Sequence, residues 1–285
     1  MPYIVVSGVE HFYQWVPLRS PDSAKPVMVF VHGWGGSSRY WQSTAEALSE
    51  QFDCLLYDMR GFGRSQAKAV EQAAETDYKL ITFADELAGL LDALGLADKV
   101  YLNAHSMGAS VAAFFLTRYG DRVERAILTC NGVFEYDKAA FEAFYRFGGY
   151  VVAFRPKWLA KIPLAPRFFM ARFLHQSVPS QDKLAFLEDF LVADYKTALG
   201  TIFTSVSKEA TEVMPQEFQN IPVPTLLVSG QYDKITPAEL GKEAAALNSK
   251  IEYVLIPKTG HFPMLEDPNT YLAAVNQFLT PGEAA

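Results

Sequence analysis

Cysteine is nearly absent from this sequence. Cys54 and Cys130 are the only two, each in an apolar run that reads as a buried strand. A widely separated pair supplies neither a disulfide framework nor zinc-like spacing, so both are expected to be buried free thiols. Positive charge is short as well: 25 Lys and Arg stand against 32 Asp and Glu, a net charge of -7. Such a chain repels phosphate backbones, which excludes a nucleic-acid role. No run approaches the roughly 18 apolar residues of a membrane span. The opening Met1–Gly8 lacks the basic start and longer apolar stretch of a signal peptide, so the expected location is cytoplasmic. Histidine is scarce, five residues scattered along the chain, and the glycine-rich loop at 33–36 lacks the spacing that cradles phosphate. No metal or organic cofactor is therefore expected. Repeats, low-complexity tracts and interdomain linkers are missing too, and nothing in the pattern bears on oligomeric state.

What the 285 residues do contain is an alternation of short β-branched runs with helical segments. Val27–Val31, Phe52–Tyr57, Val100–Leu102, Ala126–Thr129, Thr225–Ser229 and Glu252–Ile256 read as strands of a parallel sheet. Tyr3–Val6 and Phe12–Val16 are separated by only a short turn, which predicts an antiparallel hairpin at one edge. The fold class is thus α/β, with eight mostly parallel strands. Thr236-Pro237-Ala238-Glu239 predicts a helix start with a threonine N-cap and a capping box, and Asp267-Pro268 predicts a similar start for the last helix.

Between residues 133 and 219 the strand–helix rhythm breaks. This stretch is rich in aromatics: Phe141, Phe144, Tyr145, Phe147, Tyr150, Phe154, Trp158, Phe168, Phe169 and Phe173. It reads as a helical cap inserted into a core formed by residues 1–132 and 220–285. An insertion cannot bury so many aromatics in the sheet's own core, so some are expected to line a cleft between cap and sheet.

Chemistry concentrates in Ala104-His105-Ser106-Met107-Gly108, which follows the apolar run Lys99–Leu102 and precedes a helical stretch. A strand, a sharp turn and a helix push the central serine out at the carboxyl end of the sheet, and small flanking residues let strand and helix approach. A serine hydroxyl needs an oriented base to attack a carbonyl. Of the five histidines, His11 lies in the edge hairpin, His175 in the cap, and His105 is adjacent to the serine and points away from it. His32 opens the loop His32-Gly33-Trp34-Gly35-Gly36 and is expected to shape it. His261 remains, in a loop directly after the last strand.

These motifs resemble the α/β-hydrolase family, with Ala104 in place of the first glycine of its G-x-S-x-G pattern. The resemblance implies a Ser–Asp–His order along the chain, which Asp233 satisfies between a strand and a helix; the other position for the acid, after the strand ending near Cys130, carries Asn131 and Gly132. It implies an oxyanion hole from the backbone N–H groups of Met107 and Trp34, with His32 and Gly33 shaping the loop. Asp58–Ser65, another family-like stretch, is expected to brace a loop near the site. The implied activity is a cofactor-free serine hydrolase acting on a carboxylic ester of an apolar small molecule, with water as second substrate. Carbon–carbon bond hydrolase, thioesterase, lactonase and haloperoxidase or perhydrolase chemistries use the same triad. Dehalogenases and epoxide hydrolases of this fold place an aspartate where Ser106 stands. A hydrolase-derived small-molecule receptor is the non-enzymatic alternative.

Overall fold

The computed structural model describes residues 3–20, 22–65, 77–134, 142, 148–205 and 207–280. Eight strands form one sheet: β1 (Tyr3–Val6), β2 (Val9–Val16), β3 (Val27–Val31), β4 (Asp53–Tyr57), β5 (Val100–His105), β6 (Val123–Thr129), β7 (Thr225–Gly230) and β8 (Ile251–Ile256). Their spatial order is β1-β2-β4-β3-β5-β6-β7-β8. β1 and β2 form the expected antiparallel hairpin, β2 joins β4 antiparallel, and every later pairing is parallel.

The central strands of the sheet are buried on both faces, and β3 shows how the sequence achieves this. Val27, Val29 and Val31 enter one apolar cluster, while Met28 and Phe30 enter the cluster on the opposite face. Successive side chains alternate sides, so a continuous apolar run is what a doubly covered strand requires. Helices α2 (Leu80–Ala93) and α3 (Met107–Tyr119) cover the first face; α1 (Gln42–Leu48) and the last helix cover the second.

β5 extends three residues past the expected Leu102, through Asn103, Ala104 and His105. None of these three is a strong strand former. They are held extended by neighbours on both sides, with Ala104 paired to Val31 and His105 paired to Thr129. β6 likewise begins three residues early, at Val123-Glu124-Arg125, where polar side chains sit at the strand's start. Sheet pairing overrides weak local propensity in both cases.

Between β6 and β7 the chain leaves the sheet. The described part of this insert is helical at residues 148–153, then forms a single-turn 3-10 helix (Lys157–Lys161), α4 (Ala165–Met170), α5 (Ser180–Val192), α6 (Tyr195–Ser205) and α7 (Lys208–Asn220). α7 packs back on the core, with Met214 and Phe218 in the same cluster as α3. Three helices follow: α8 (Ala238–Ala246), α9 (Pro263–Glu266) and α10 (Pro268–Leu279). Asp267 caps α10 by accepting from Thr270 N. The expected capping box at Thr236 is not formed. α8 begins after Pro237 without a side-chain cap, because the Thr236 N–H donates to Asp233 Oδ1 and draws the chain into a turn there.

The insert is fastened to the core by α5. Ser37 Oγ donates to Asp189 Oδ2 at 2.6 Å, and Arg39 reaches both Asp189 and Glu188. Trp34 Nε1 donates to Ala198 O at the start of α6. Burial raises the Asp189 carboxyl from its ordinary 3.8 to about 6, against the opposing pull of the Ser37 hydrogen bond and Arg39.

Between about pH 4 and pH 6 the folded protein therefore holds a proton that the unfolded chain has released, so the stability contributed by Asp189 falls as pH rises through this window. The full difference is on the order of 2–3 kcal/mol. In urea melts from pH 4 to 7, Asp189→Asn should gain stability relative to wild type as pH rises, with the difference levelling above pH 6.5. A wild-type-minus-variant difference that is flat with pH would contradict this assignment.

Candidate active site

The chain order reverses direction at β3: β4 lies on one side of it and β5 on the other. Loops after β3 and β5 consequently leave the sheet's carboxyl edge side by side, the position where open α/β sheets form crevices. His32–Gly36 is the first of these loops, and the β5–α3 turn at Ser106 is the second.

Ser106 has φ 55° and ψ -125°, a left-handed conformation that a side chain rarely adopts. Three contacts impose it. Ser106 N donates to Thr129 O, Asn131 Nδ2 donates to Ser106 O, and the following helix lies close against β3. That approach requires Gly108, since a Cβ there would stand 2.3 Å from His32 O. Ala104 is fully buried, so an alanine fits at the first small position.

His261 and Asp233 reach this serine from the loops after β8 and β7. His261 Nε2 lies 2.9 Å from Ser106 Oγ, and His261 Nδ1 lies 2.7 Å from Asp233 Oδ2. The carboxylate can only accept, so Nδ1 carries the proton and Nε2 is left to accept from the serine hydroxyl. Asp233 Oδ1 takes the N–H groups of Ile235 and Thr236, which orients the carboxylate toward the imidazole. Ser106, Asp233 and His261 are thus brought together as the sequence expected, and Asn131 braces the elbow from the other acid position.

Met107 opens α3 immediately after the serine, and Trp34 follows Gly33, where a Cβ would approach Ser106 Cβ to 3.0 Å. Neither the Met107 nor the Trp34 backbone N–H donates to an acceptor among the described residues. His32 shapes its loop as expected. Its Nε2 accepts from Met59 N, so its Nδ1–H donates to Gly33 O, and burial keeps the ring neutral. The Asp58–Ser65 stretch is structural: Asp58 accepts from Ser38 N, Ser38 Oγ, Arg64 N and Arg64 Nε. Burial alone would raise the Asp58 carboxyl, but the Arg64 bonds and charge hold it below its usual range.

Two supports carry no sequence signal that spacing alone reveals. The first is a relay behind the Ser106–His261–Asp233 array. His105 Nε2 donates to the backbone carbonyl of His261 at 2.7 Å, which leaves His105 Nδ1 to accept from Tyr40 Oη at 3.0 Å. Tyr40 Oη in turn accepts from Gly33 N. Burial holds the His105 pKa far below its ordinary value, and the neighbouring His261 acts in the same direction, so the ring stays neutral and the relay keeps one polarity. His105 points away from the serine, as expected, yet it ties the glycine loop to His261. The second support is Glu266, buried at the end of α9. Its Oε2 accepts from His175 N and Gln176 N, and its Oε1 accepts from Gly260 N and Phe262 N. One carboxylate therefore clamps the His261 loop to the insert, where Phe173 O also accepts from His261 N.

Aromatic side chains of the insert divide into two groups. Phe169 and Phe173 turn inward and pack with Phe186 and Phe190 of α5, and Phe173 also meets His261. Tyr150, Phe154, Trp158 and Phe168 are exposed instead of lining the cleft. Phe141, Phe144, Tyr145 and Phe147 lie outside the described residues. Phe186 and Phe190 were not anticipated; they sit against Gly36 and Gly35 of the loop after β3.

Among the described residues one grouping has metal-ligating character: His105, Cys130 and His261 present ligand atoms within 4.8 Å of one another. Its imidazole nitrogens are already engaged by Tyr40, the His261 carbonyl, Asp233 and Ser106. Burial, reinforced by the Asp233 charge, pushes the Cys130 thiol well up, so it stays protonated.

A family model described as alpha/beta hydrolase fold matches residues 26–268. Over 255 residues the chain is 22% identical to pimeloyl-[acyl-carrier protein] methyl ester esterase of Vibrio cholerae, covering 89% of this chain and 94% of that protein. A thermophilic esterase from Thermogutta terrifontis superposes with TM-score 0.75 at 24% identity, covering 98% of each chain. The enol-lactonase of Burkholderia xenovorans LB400 superposes with TM-score 0.75 at 23% identity, covering 98% of this chain and 99% of that one. Both likenesses are in fold.

Tyr40→Phe should leave the Gly33 N–H and His105 Nδ1 buried without partners, lowering stability by roughly 2–4 kcal/mol, measurable as a lower urea midpoint at unchanged slope. Glu266→Gln retains one carbonyl oxygen and turns an NH2 toward two N–H donors. An expected loss of about 2–3 kcal/mol should appear in the same melts, together with faster amide exchange in 258–262 and 173–177. Wild-type exchange in both segments would remove Glu266 from the clamp.

Proposed function

We propose that this chain, which belongs to the alpha/beta hydrolase fold family, is a serine hydrolase that cleaves a carboxylic ester of an apolar small molecule through an acyl-enzyme. The observation that carries the reading is the unbroken line from Ser106 Oγ through His261 to Asp233, at 2.9 and 2.7 Å. Both distances are within the range for proton transfer between a nucleophile and its base.

In this reading Ser106 Oγ attacks the ester carbonyl while its proton passes to His261 Nε2. Asp233 stabilises the imidazolium that forms and keeps Nδ1 protonated. The carbonyl oxygen, now an anion, accepts from the N–H groups of Trp34 and Met107; one such donor is worth about 3–4 kcal/mol of transition-state stabilisation. The tetrahedral centre collapses, the C–O bond breaks, and the alcohol leaves with the proton from His261. Water then repeats the sequence, giving its proton to His261 and releasing the acid and free Ser106.

The segment 133–219 acts as the cap. Phe169, Phe173, Phe186 and Phe190 supply an apolar wall beside the serine, which favours an apolar acyl or alcohol group over a charged one. The esterase among its relatives and the esterase and lactonase of like fold are consistent with an acyl-transfer chemistry, and a lactone is opened by the same steps as an ester.

Wild type should hydrolyse p-nitrophenyl esters with an optimum at a medium acyl length, and a fluorophosphonate should label Ser106. Ser106→Ala should abolish labelling and lower kcat by at least 10^3-fold, on the order found for triad serines, without loss of the folded state by circular dichroism. Labelling without turnover on esters would redirect the reading to carbon–carbon hydrolase, lactone or receptor ligands. Neither labelling nor turnover would end it.

A further inference from the structure

The insert has an inner and an outer side, and the outer side has no partner among the described residues. Leu159 and Ala160 of the 3-10 helix, with Ala165 and Phe169 of the α4 region, pack inward on one cluster formed by Leu187, Phe190 and Leu191 of α5. Away from that cluster the 3-10 helix exposes Lys157, Trp158 and Lys161, and α4 exposes Arg167 and Phe168. Along residues 154–168, Phe154 is exposed at 75%, Trp158 at 56%, Leu164 at 56% and Phe168 at 71% of their full surface. Scattered exposed apolar residues are normal, but four large ones within fifteen residues, two of them on packed neighbouring elements, form a patch that calls for a covering partner.

Charge decides what kind. From residue 148 to 181 the sequence contains Arg155, Lys157, Lys161, Arg167 and Arg172 and no Asp or Glu, within a chain of net charge -7. Arg155 is turned back onto the Val152 and Phe190 carbonyls. Lys157, Lys161, Arg167 and Arg172 form no ion pair among the described residues. Lys157 and Lys161 flank Trp158, and Arg167 adjoins Phe168, so exposed cations and large apolar groups alternate along the segment. Beside them runs an open groove of about 770 Å³, walled by Ile162, Leu164, Leu174 and Leu184 together with Arg167 and Lys183.

An acidic protein would satisfy the cations and leave the aromatic rings in water or against polar groups. A second copy of this chain docked by the same face would bring these four cations against four like charges. An anionic lipid surface satisfies both features: rings enter the headgroup–acyl boundary while lysine and arginine meet lipid phosphates and carboxylates. We infer that the outer face of the insert, centred on Phe154, Trp158, Leu164 and Phe168 and ringed by Lys157, Lys161, Arg167 and Arg172, docks on anionic lipid bilayers. Docking is peripheral, since no described helix is long and apolar enough to cross a membrane. This surface stands independently of the role assigned to Ser106, and its test reads binding and not turnover.

The full chain is to be floated with vesicles of phosphatidylcholine alone and of phosphatidylcholine with 30–40% phosphatidylglycerol, with a brominated-lipid series to quench tryptophan. Binding should be strong on the anionic vesicles and weak on neutral ones, and should fall steeply with salt. Each of the four cations changed to Gln should weaken binding roughly fivefold, as expected for about 1 kcal/mol per charge near such a surface. Phe154→Ser with Phe168→Ser should reduce it at least tenfold. Trp158→Phe should retain binding and remove most of the bromolipid quenching, because Trp15, Trp34 and Trp41 lie elsewhere in the fold. Unchanged urea midpoints in these surface variants separate lost docking from lost folding. No binding to either vesicle, or binding untouched by the substitutions, overturns the inference. So does sedimentation showing that the same substitutions dissociate a dimer, or salt-sensitive capture of an acidic carrier protein, in the absence of vesicle binding.

Discussion

A serine at φ 55° between a strand and a helix is an unfavourable conformation, costing on the order of 1–3 kcal/mol, and much of the surrounding structure serves to hold it. The Ser106 backbone is pinned on one side by Thr129 O and on the other by Asn131. The close approach of α3 to β3 that completes the turn is possible because Gly108 has no side chain. The strain sits at the junction of β5 with β3, where two loops leave the sheet together, so the serine stands at the carboxyl edge where the strand order reverses.

From that residue outward the site is organised as a set of one-directional hydrogen bonds. Asp233 accepts two backbone N–H groups and the His261 imidazole, which leaves Nε2 facing the serine. Behind the histidine, the Gly33–Tyr40–His105 relay fixes its main chain, and Glu266 fixes the loop that carries it. The neutral state of His105, enforced by burial, matters because a protonated ring could not accept from Tyr40. The insert takes part in this scaffold through Asp189, Phe173 O and the His175–Gln176 amides, so it helps to position the loop that carries His261.

Much of the sheet was legible in advance. Strands covered on both faces appear as unbroken apolar runs, and the Val27–Val31 and Thr225–Ser229 segments show this plainly. Errors fell where pairing outweighed propensity, at Asn103–His105 and Val123–Arg125, and where a side chain competed with a helix cap, as Asp233 does for the Thr236 amide. The aromatic content of the insert misled in part: the rings at 154, 158 and 168 are at the surface, because composition does not say which face of a short helix turns inward.

Residue type and local order singled out Ser106 and His261, because an elbow between strand and helix and a loop histidine each leave a local pattern, and the family resemblance added Asp233 through the order of the three along the chain. Tertiary structure alone decided what holds them. Tyr40 lies 65 residues from His105, and Glu266 reaches across 90 residues to Gln176; contacts over such separations depend on how the sheet is ordered and on how the insert folds back over it. Short-range spacing carries no record of that arrangement, since the geometry of these pairs exists only once strands distant in sequence have become neighbours in space.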